Sequence, residues 1–320
     1  MDKTISFAQQ VKEELVLNNY ESSDRLRALL SAYIRINGHI SFKKKETVII
    51  LQSENAKIAK FLYSTIKDIY QANCKIEYNQ KTNLKKNITY EVIVESNGEA
   101  IIDDLEISFL EGKISKNIVK NDDSISGYLA GAFLASGSVN SPVTSNYHLE
   151  IVLNNDNYAK WMLHLFNRYK NTNIEPKIIQ RRNKYVIYLK KSDQIAEFLA
   201  MIGATSSCLE FESYRVDRDF ANASNRLANF DASNMKKTVE AGQKQIKQIM
   251  FIDQTYGIDN IKNPKARILA HLRLENESAS LTELAVLLGE ELNQEVSRSL
   301  IAHLFDSLEK LYYKMGGESI

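Results

Sequence analysis

Apolar and small residues recur at helical spacing in LRALLSAYIRINGHISF (26–42) and again in SGYLAGAFLASGSVNSP (126–142). Each run stops at a glycine, Gly38 or Gly137, before a turn into a strand. Each helix, about 23–37 and about 124–136, leads to strands with period-two alternation, TVIILQS (47–53) and HLEIVLN (148–154). A second helix follows in each copy, about 54–70 and about 156–170. Two more strands come next, about 74–79 with 88–96 and about 174–180 with 184–191, and a last helix closes the unit at about 98–106 and 192–202. The matching order of elements predicts an internal duplication, with 107–123 as linker between the copies.

Beyond residue 204 the pattern becomes helical throughout. Asn222, Asn225, Asn229 and Asn234 recur at three- to five-residue spacing beside Arg226, a polar stripe that either bridges two domains or meets phosphates and base edges. Asp231 with Ser233 predicts a break between two helices. Three further helices follow: Pro264 suits a first turn, Ser280 with Glu283 makes a capping box, and a turn is expected at Gly289. Val296, Leu300, Ile301, Leu304, Leu308 and Leu311 form the apolar face of the last helix. A short helix, a turn and a longer helix from about Ser280 to Leu311 read as a helix-turn-helix.

Composition bounds the reading without deciding it. A chain of 320 residues with 44% apolar and 25% charged residues is long enough for more than one core. The net charge of +1 by itself predicts no polyanion partner. Cys74 and Cys208 are too few and too far apart for a zinc site and read as reduced thiols. No stretch has the ~20 apolar residues of a membrane span, and the first residues, MDKTISFAQQVKEELV, have no signal-peptide core, so a cytoplasmic protein is expected. His39, His148, His164 and His271 read as structural, and Tyr158 and Trp161 as core residues.

The two copies resemble the repeats of a single-chain LAGLIDADG homing endonuclease. The resemblance implies that the two signature helices pack together at a pseudo-twofold axis through Ala28, Ala32, Ala130, Gly131, Ala132 and Ala135. It also implies a metal-holding acid just before each glycine; here those positions are Asn37 and Ser136. An amide and a hydroxyl bring no negative charge to a magnesium ion, and Arg35 nearby would repel one. No catalytic residue, metal or cofactor is therefore expected.

Charge is uneven along the frame. Residues 164–193 hold Arg168, Lys170, Lys177, Arg181, Arg182, Lys184, Lys190 and Lys191 against Glu175 and Asp193. Lys43, Lys44 and Lys45 mark one hairpin of the first copy, and Lys81, Lys85 and Lys86 another. Basic hairpin tips either are solvated turns or neutralise phosphates.

Taken at full length, the chain resembles the WhiA family of bacterial regulators. LAGAFLASGSVNSP, YHLEI, NRLANFDASNMKKTVEAGQKQIKQI, SLTELAVLLG and the SRS…H of Ser297, Arg298, Ser299 and His303 carry the resemblance. It implies an α+β LAGLIDADG-like domain of two repeats joined to an all-α helix-turn-helix domain. The expected divisions are an N-terminal helix in 1–21, a duplicated domain in 22–204 (repeats about 22–106 and 121–203), a helical connection in 205–260 and a helix-turn-helix domain in 261–320. The implied partner is double-stranded DNA, without membrane or small-molecule substrate. The implied role is transcriptional control, cell division and chromosome segregation, in the cytoplasm and at the nucleoid. Candidate DNA contacts are Lys43, Lys44, Lys45, Arg181, Arg182, Lys184, Asn225, Arg226, Lys236, Lys237, Ser297, Arg298, Ser299 and His303, with core burial the competing reading of His303.

One feature departs from the family pattern. After His303 stand Leu304, Asp306 and Ser307, where the family carries more basic residues, and residues 280–320 hold three Lys/Arg against seven Asp/Glu. Such a module binds phosphate weakly by itself and leaves open a protein partner for these acidic helices. A residual metal nuclease and a protein scaffold are the alternatives to a DNA-binding regulator.

Overall fold

A computed structural model describes residues 5–43, 46–80, 88–109, 111–144, 146–170 and 172–318; the side chains of Lys43 and Gln80 also lie outside the description. The chain divides into two compact units, Met1–Arg218 and Asp219–Ile320.

The first unit opens with α1 (Phe7–Leu17) and α2 (Ser23–Asn37). Then come β1 (Gly38–Lys43), β2 (Glu46–Ser53), α3 (Ala56–Tyr70), β3 (Cys74–Gln80), β4 (Ile88–Val94) and α4 (Gly98–Asp104). The order repeats as α5 (Asp122–Ser136), β5 (Gly137–Val139), β6 (Leu149–Leu153), α6 (Asp156–Arg168), β7 (Lys177–Arg181), β8 (Lys184–Leu189) and α7 (Ser192–Ile202). The sheets have the same antiparallel topology, β1-β2-β4-β3 and β5-β6-β8-β7. Local chemistry repeats too. Asn55 and Asn155 N-cap α3 and α6, and Gly38 and Gly137 cap α2 and α5 by donating to the Ile34 and Phe133 carbonyls.

The two capping glycines have φ of −85° and −76°, which any residue adopts, so space rather than backbone freedom selects glycine. A Cβ on Gly38 would overlap the Ile34 carbonyl, and one on Gly137 would overlap the Phe133 ring.

Helices α2 and α5 are the centre of the unit. Ala28, Ala32, Ala130 and Ala132 are fully buried. A Cβ on Gly131 would lie inside the contact distance of the Leu29 carbonyl oxygen, and one on Gly127 would do the same to the Arg25 carbonyl. Gly127, a turn before Gly131, was not among the small residues expected at this contact. Arg25 ties the far end of the pair, donating to Asp123 (3.2 Å) and to the Ile202 carbonyl (3.0 Å). Helix α1 docks alongside through Phe7, Val11 and Leu15.

Helix α8 (Thr205–Tyr256) begins in the first unit and continues into the second. Glu14 holds its start: the carboxylate accepts from the backbone N–H groups of Ser206 (2.6 Å) and Ser207 (2.8 Å), an anion at a helix N-terminus. The break expected at Asp231–Ser233 is absent, and the helix runs through both residues. Neither side chain makes a hydrogen bond that would pull the backbone out of the ladder, and no proline interrupts it.

The second unit adds α9 (Pro264–Glu275), α10 (Leu281–Leu292) and α11 (Arg298–Lys314). The expected turn at Gly289 is corrected: Gly289 lies inside α10, and the chain turns at Asn293, whose φ is 47°. Gly289 serves the turn from within, since a Cβ there would come 2.9 Å from the Gln294 carbonyl oxygen. Leu269, Leu284, Leu288, Ile301, Leu304, Phe305 and Leu308 form the core. Arg273 is buried with them, donating to the Ala279 carbonyl (2.6 Å) at the α9–α10 connection and lying over the Phe305 ring.

Gly131→Ala forces α2 and α5 apart and is expected to destabilise the chain by about 1–3 kcal/mol or more. A urea titration would show this as a lower midpoint at unchanged slope.

Candidate nucleic-acid interface

The two sheets present opposite charge on the faces turned away from their helices. In the second sheet the register aligns Lys177, Tyr188 and Glu150 across three strands, and Arg181 with Lys184 beside them. The alternate positions Leu149, Ile151, Ile187 and Leu189 are buried. The Lys190 ammonium stands 5.4 Å from the Tyr188 ring centre, and the His148 ring stacks on the same tyrosine. Four cations, Lys177, Arg181, Lys184 and Lys190, therefore share a face with one carboxylate. Glu150 is partly occupied, 3.0 Å from His148 Nε2 and 3.9 Å from Arg181. Arg182 sits at the β7–β8 turn with φ 57°, and Arg181, Arg182 and Lys184 line a cavity of about 460 Å³ with Glu150.

In the first sheet the corresponding face is acidic among the described side chains. Glu77 and Glu91 are direct cross-strand partners, and Glu91 pairs with Gln52. Lys75 bridges Glu77 (2.8 Å) and Glu95 (3.0 Å). The expectation that Lys44, Lys45, Lys81, Lys85 and Lys86 add positive charge falls outside the described residues, as does the Lys43 side chain. Within 164–193 the structure also sorts the cations. Arg168 donates to the Val119 carbonyl and serves the fold, and Lys191 stands 3.9 Å from Glu175.

Between the helix tips the chemistry is not that of a metal centre. Asn37 Nδ2 donates to the Gln52 carbonyl (2.7 Å), and Ser136 Oγ is buried with no hydrogen-bond partner. Among the described residues no group of three His, Cys, Asp or Glu is placed to hold a metal ion. Asn37 and Ser136 themselves bring no carboxylate oxygen to a hard divalent cation; the carboxylates lining the same cavity are Glu54 and Glu13, the latter paired with Lys57. Arg35 does not face the site as the sequence suggested. Its guanidinium donates to the Lys113 and Glu111 carbonyls and lies 4.0 Å from the Tyr158 ring centre.

The cation beside the tips comes instead from α1. Lys12 lines a cavity of about 940 Å³ together with Asn37, Gln52, Ala135 and Gly137. Its ammonium stands 5.8 Å from the Phe133 ring centre. Burial pushes its pKa down to about 8, partly opposed by Glu54. Two helix C-termini converge here, and a cation answers their partial negative charge. Sequence reasoning missed Lys12, because an amphipathic helix of mixed charge gives no sign of which lysine faces inward.

In the second unit, Asn225, Arg226, Lys236 and Lys237 are all exposed on α8. At 3.6 residues per turn Asn222, Asn225, Arg226, Asn229 and Lys236 form one stripe, while Asn234 falls toward the side that carries exposed Leu227 and Phe230. The helix-turn-helix residues divide by role. Ser297 N-caps α11, accepting from Leu300 N (3.2 Å), and bonds Ser299 Oγ. Arg298, Ser299 and His303 are exposed, so core burial does not describe His303. His39, His164 and His271 are exposed and His148 is part-buried, so none is a core histidine; Tyr158 is buried and Trp161 partly so.

These features define a class: a duplicated LAGLIDADG-type frame without metal-binding acids, followed by a helix-turn-helix unit. Three family descriptions match consecutive stretches: the WhiA N-terminal LAGLIDADG-like domain over 23–108, the WhiA LAGLIDADG-like domain over 125–221 and the WhiA C-terminal HTH domain over 224–312. The chain belongs to the WhiA family. It is 37% identical over 318 residues to a probable cell division protein WhiA of Enterococcus faecalis, covering 98% of this chain and 100% of that protein. A Listeria monocytogenes protein of the same name is also 37% identical, over 96% of this chain and 94% of its own. The crystal structure of full-length DUF199/WhiA from Thermatoga maritima shares the fold, with a TM-score of 0.59 at 24% identity over 99% of this chain and 100% of that one.

Lys12→Met is expected to stabilise the chain by about 1–2 kcal/mol near pH 7. The folded state binds this proton less tightly than the unfolded state, whose lysine titrates near 10.5. Wild-type stability from this group therefore rises as pH climbs through 8 toward 10.5, and the variant lacks that rise. Thermal unfolding across pH 7–10 checks both statements.

Proposed function

We propose that this chain is a duplex-DNA-binding regulator of cell division, acting on transcription and chromosome segregation from a cytoplasmic, nucleoid-associated position. In this reading the LAGLIDADG frame grips without cutting. The observation that carries it is the cationic face of the second sheet, where Lys177, Arg181, Lys184 and Lys190 stand together around Tyr188. Clustered cations on a broad strand surface neutralise backbone phosphates and give affinity that falls with salt. The exposed Arg298, Ser299 and His303 supply base-edge contacts, and the α8 stripe around Arg226 and Lys236 adds polar ones. The name borne by the relatives supports the division role. The absence of cutting follows from Asn37 and Ser136, whose side chains offer no charge to an activating metal.

The charge asymmetry gives the frame a direction. The second repeat supplies phosphate contact, while Glu77, Glu91 and Glu95 of the first repeat repel a backbone laid symmetrically over both sheets. A second reading, a protein-docking role for the C-terminal helices, is favoured by the seven carboxylates against three cations in 280–320.

A gel-shift series from low to high salt tests the main reading. Retardation that weakens linearly in log salt is expected, and none at any salt would overturn it. Replacing both Arg181 and Arg182 by Ala is expected to weaken binding evenly across sequences and to reduce the salt slope by about 2. Supercoiled plasmid incubated with magnesium or manganese is expected to stay intact; nicking that follows the chain through repurification would assign it an active centre.

A further inference from the structure

The recognition helix α11 carries an acid that neither the fold nor phosphate binding uses. Ile301, Leu304, Phe305 and Leu308 face the core. The opposite side is a stripe of exposed residues, Ser299, His303 and Asp306, at spacings of four and three. Two other acids of this unit are engaged, while Glu290, Glu291 and Glu295 lie on α10 or in the turn after it and not on α11. Glu309 receives the Lys244 ammonium at 2.7 Å, and Glu283 accepts from the Ser280 N–H at 2.7 Å. Asp306 has no ion pair or hydrogen bond among the described residues, and Lys310, one turn on, does not pair with it.

We propose that Asp306 is a specificity-determining residue, its carboxylate accepting a hydrogen bond from the exocyclic amine of a cytosine in the major groove. This inference rests on the DNA-binding reading above. A carboxylate aimed at phosphates only repels them, but on the groove-facing side of a recognition helix it meets base edges. From Ser299 to Asp306 the helix rises about 10 Å, or roughly three base steps, so the stripe reads a short run of neighbouring pairs. Cytosine is the base whose edge offers an amine donor with no ring-nitrogen acceptor beside it; the adenine amine adjoins N7, which repels a carboxylate. Guanine and thymine present acceptors to the groove and are disfavoured for the same reason. The excess of acid that weakens this module toward phosphate thus supplies discrimination in its place.

The test is selection from a randomised duplex library by the full-length chain, with Asp306→Asn and Asp306→Ala alongside. Asp306 is exposed, so both variants are expected to fold, which circular dichroism verifies. Wild type is expected to enrich a site with cytosine fixed at one position. Asp306→Asn, whose amide both donates and accepts, is expected to move that position to adenine. Asp306→Ala is expected to leave it degenerate, with roughly ten- to hundredfold discrimination lost there and the other positions kept. Identical sites for all three proteins would overturn the proposal. So would an Asp306→Ala variant that binds every sequence more tightly by one factor, because the carboxylate would then act by repulsion alone. Wild type that shifts duplexes in a salt-dependent way but enriches no cytosine sinks this inference and leaves the DNA reading standing. Wild type that shifts no duplex removes both.

Discussion

The fold of the first unit depends on two helix backbones approaching closely enough to exclude a single methyl group. Gly131 lies against the Leu29 carbonyl and Gly127 against that of Arg25, with buried alanines around them. Every other part of the unit is placed relative to that contact. The sheets follow directly from the C-terminal ends of the two helices, so the distance and angle between the helices fix the distance and angle between the strand faces. The capping glycines at 38 and 137 extend the constraint to the point where each helix becomes a strand. A duplicated sequence folded on such a contact gives a broad surface with two halves that are related in backbone and free to differ in side chains.

That freedom has been used. The tips that hold metal-binding acids in the nucleases this frame resembles now end in an amide tied to the Gln52 carbonyl and a hydroxyl with no partner. A tethered ammonium from α1 stands beside them, in the field of two helix C-termini. The strand faces differ further, one cationic around Tyr188 and the other, among the described side chains, acidic around Glu77 and Glu91. A net charge of +1 conceals this separation. Binding to a polyanion depends on where charges stand and much less on their sum.

Much of the architecture was legible beforehand. The repeat, the order of elements in each copy and the helix starts at Ser280 and Pro264 all rest on local signals: caps, period and turn residues. The errors have local causes as well. Asp231 and Ser233 suggest a cap, but a cap forms only when the side chain takes a backbone N–H, and here the helical ladder keeps it. Gly289 suggests a helix end, but it stays helical because its missing Cβ makes room for the Gln294 carbonyl, and Asn293 takes the left-handed turn instead. Arg35 lies two residues before Asn37, yet its guanidinium binds linker carbonyls.

The sequence by itself determined what is periodic or covalently adjacent: the duplicated frame, the helix-turn-helix, the absent carboxylates and the unusual acid after His303. Tertiary structure alone decided which charges share a surface, that Lys12 turns inward, that Arg273 is buried and that Asp306 is left without a partner. The reason is physical. Secondary structure is set by neighbours a few residues away along the chain, whereas burial and charge proximity are set by neighbours in space, most of them tens of residues distant.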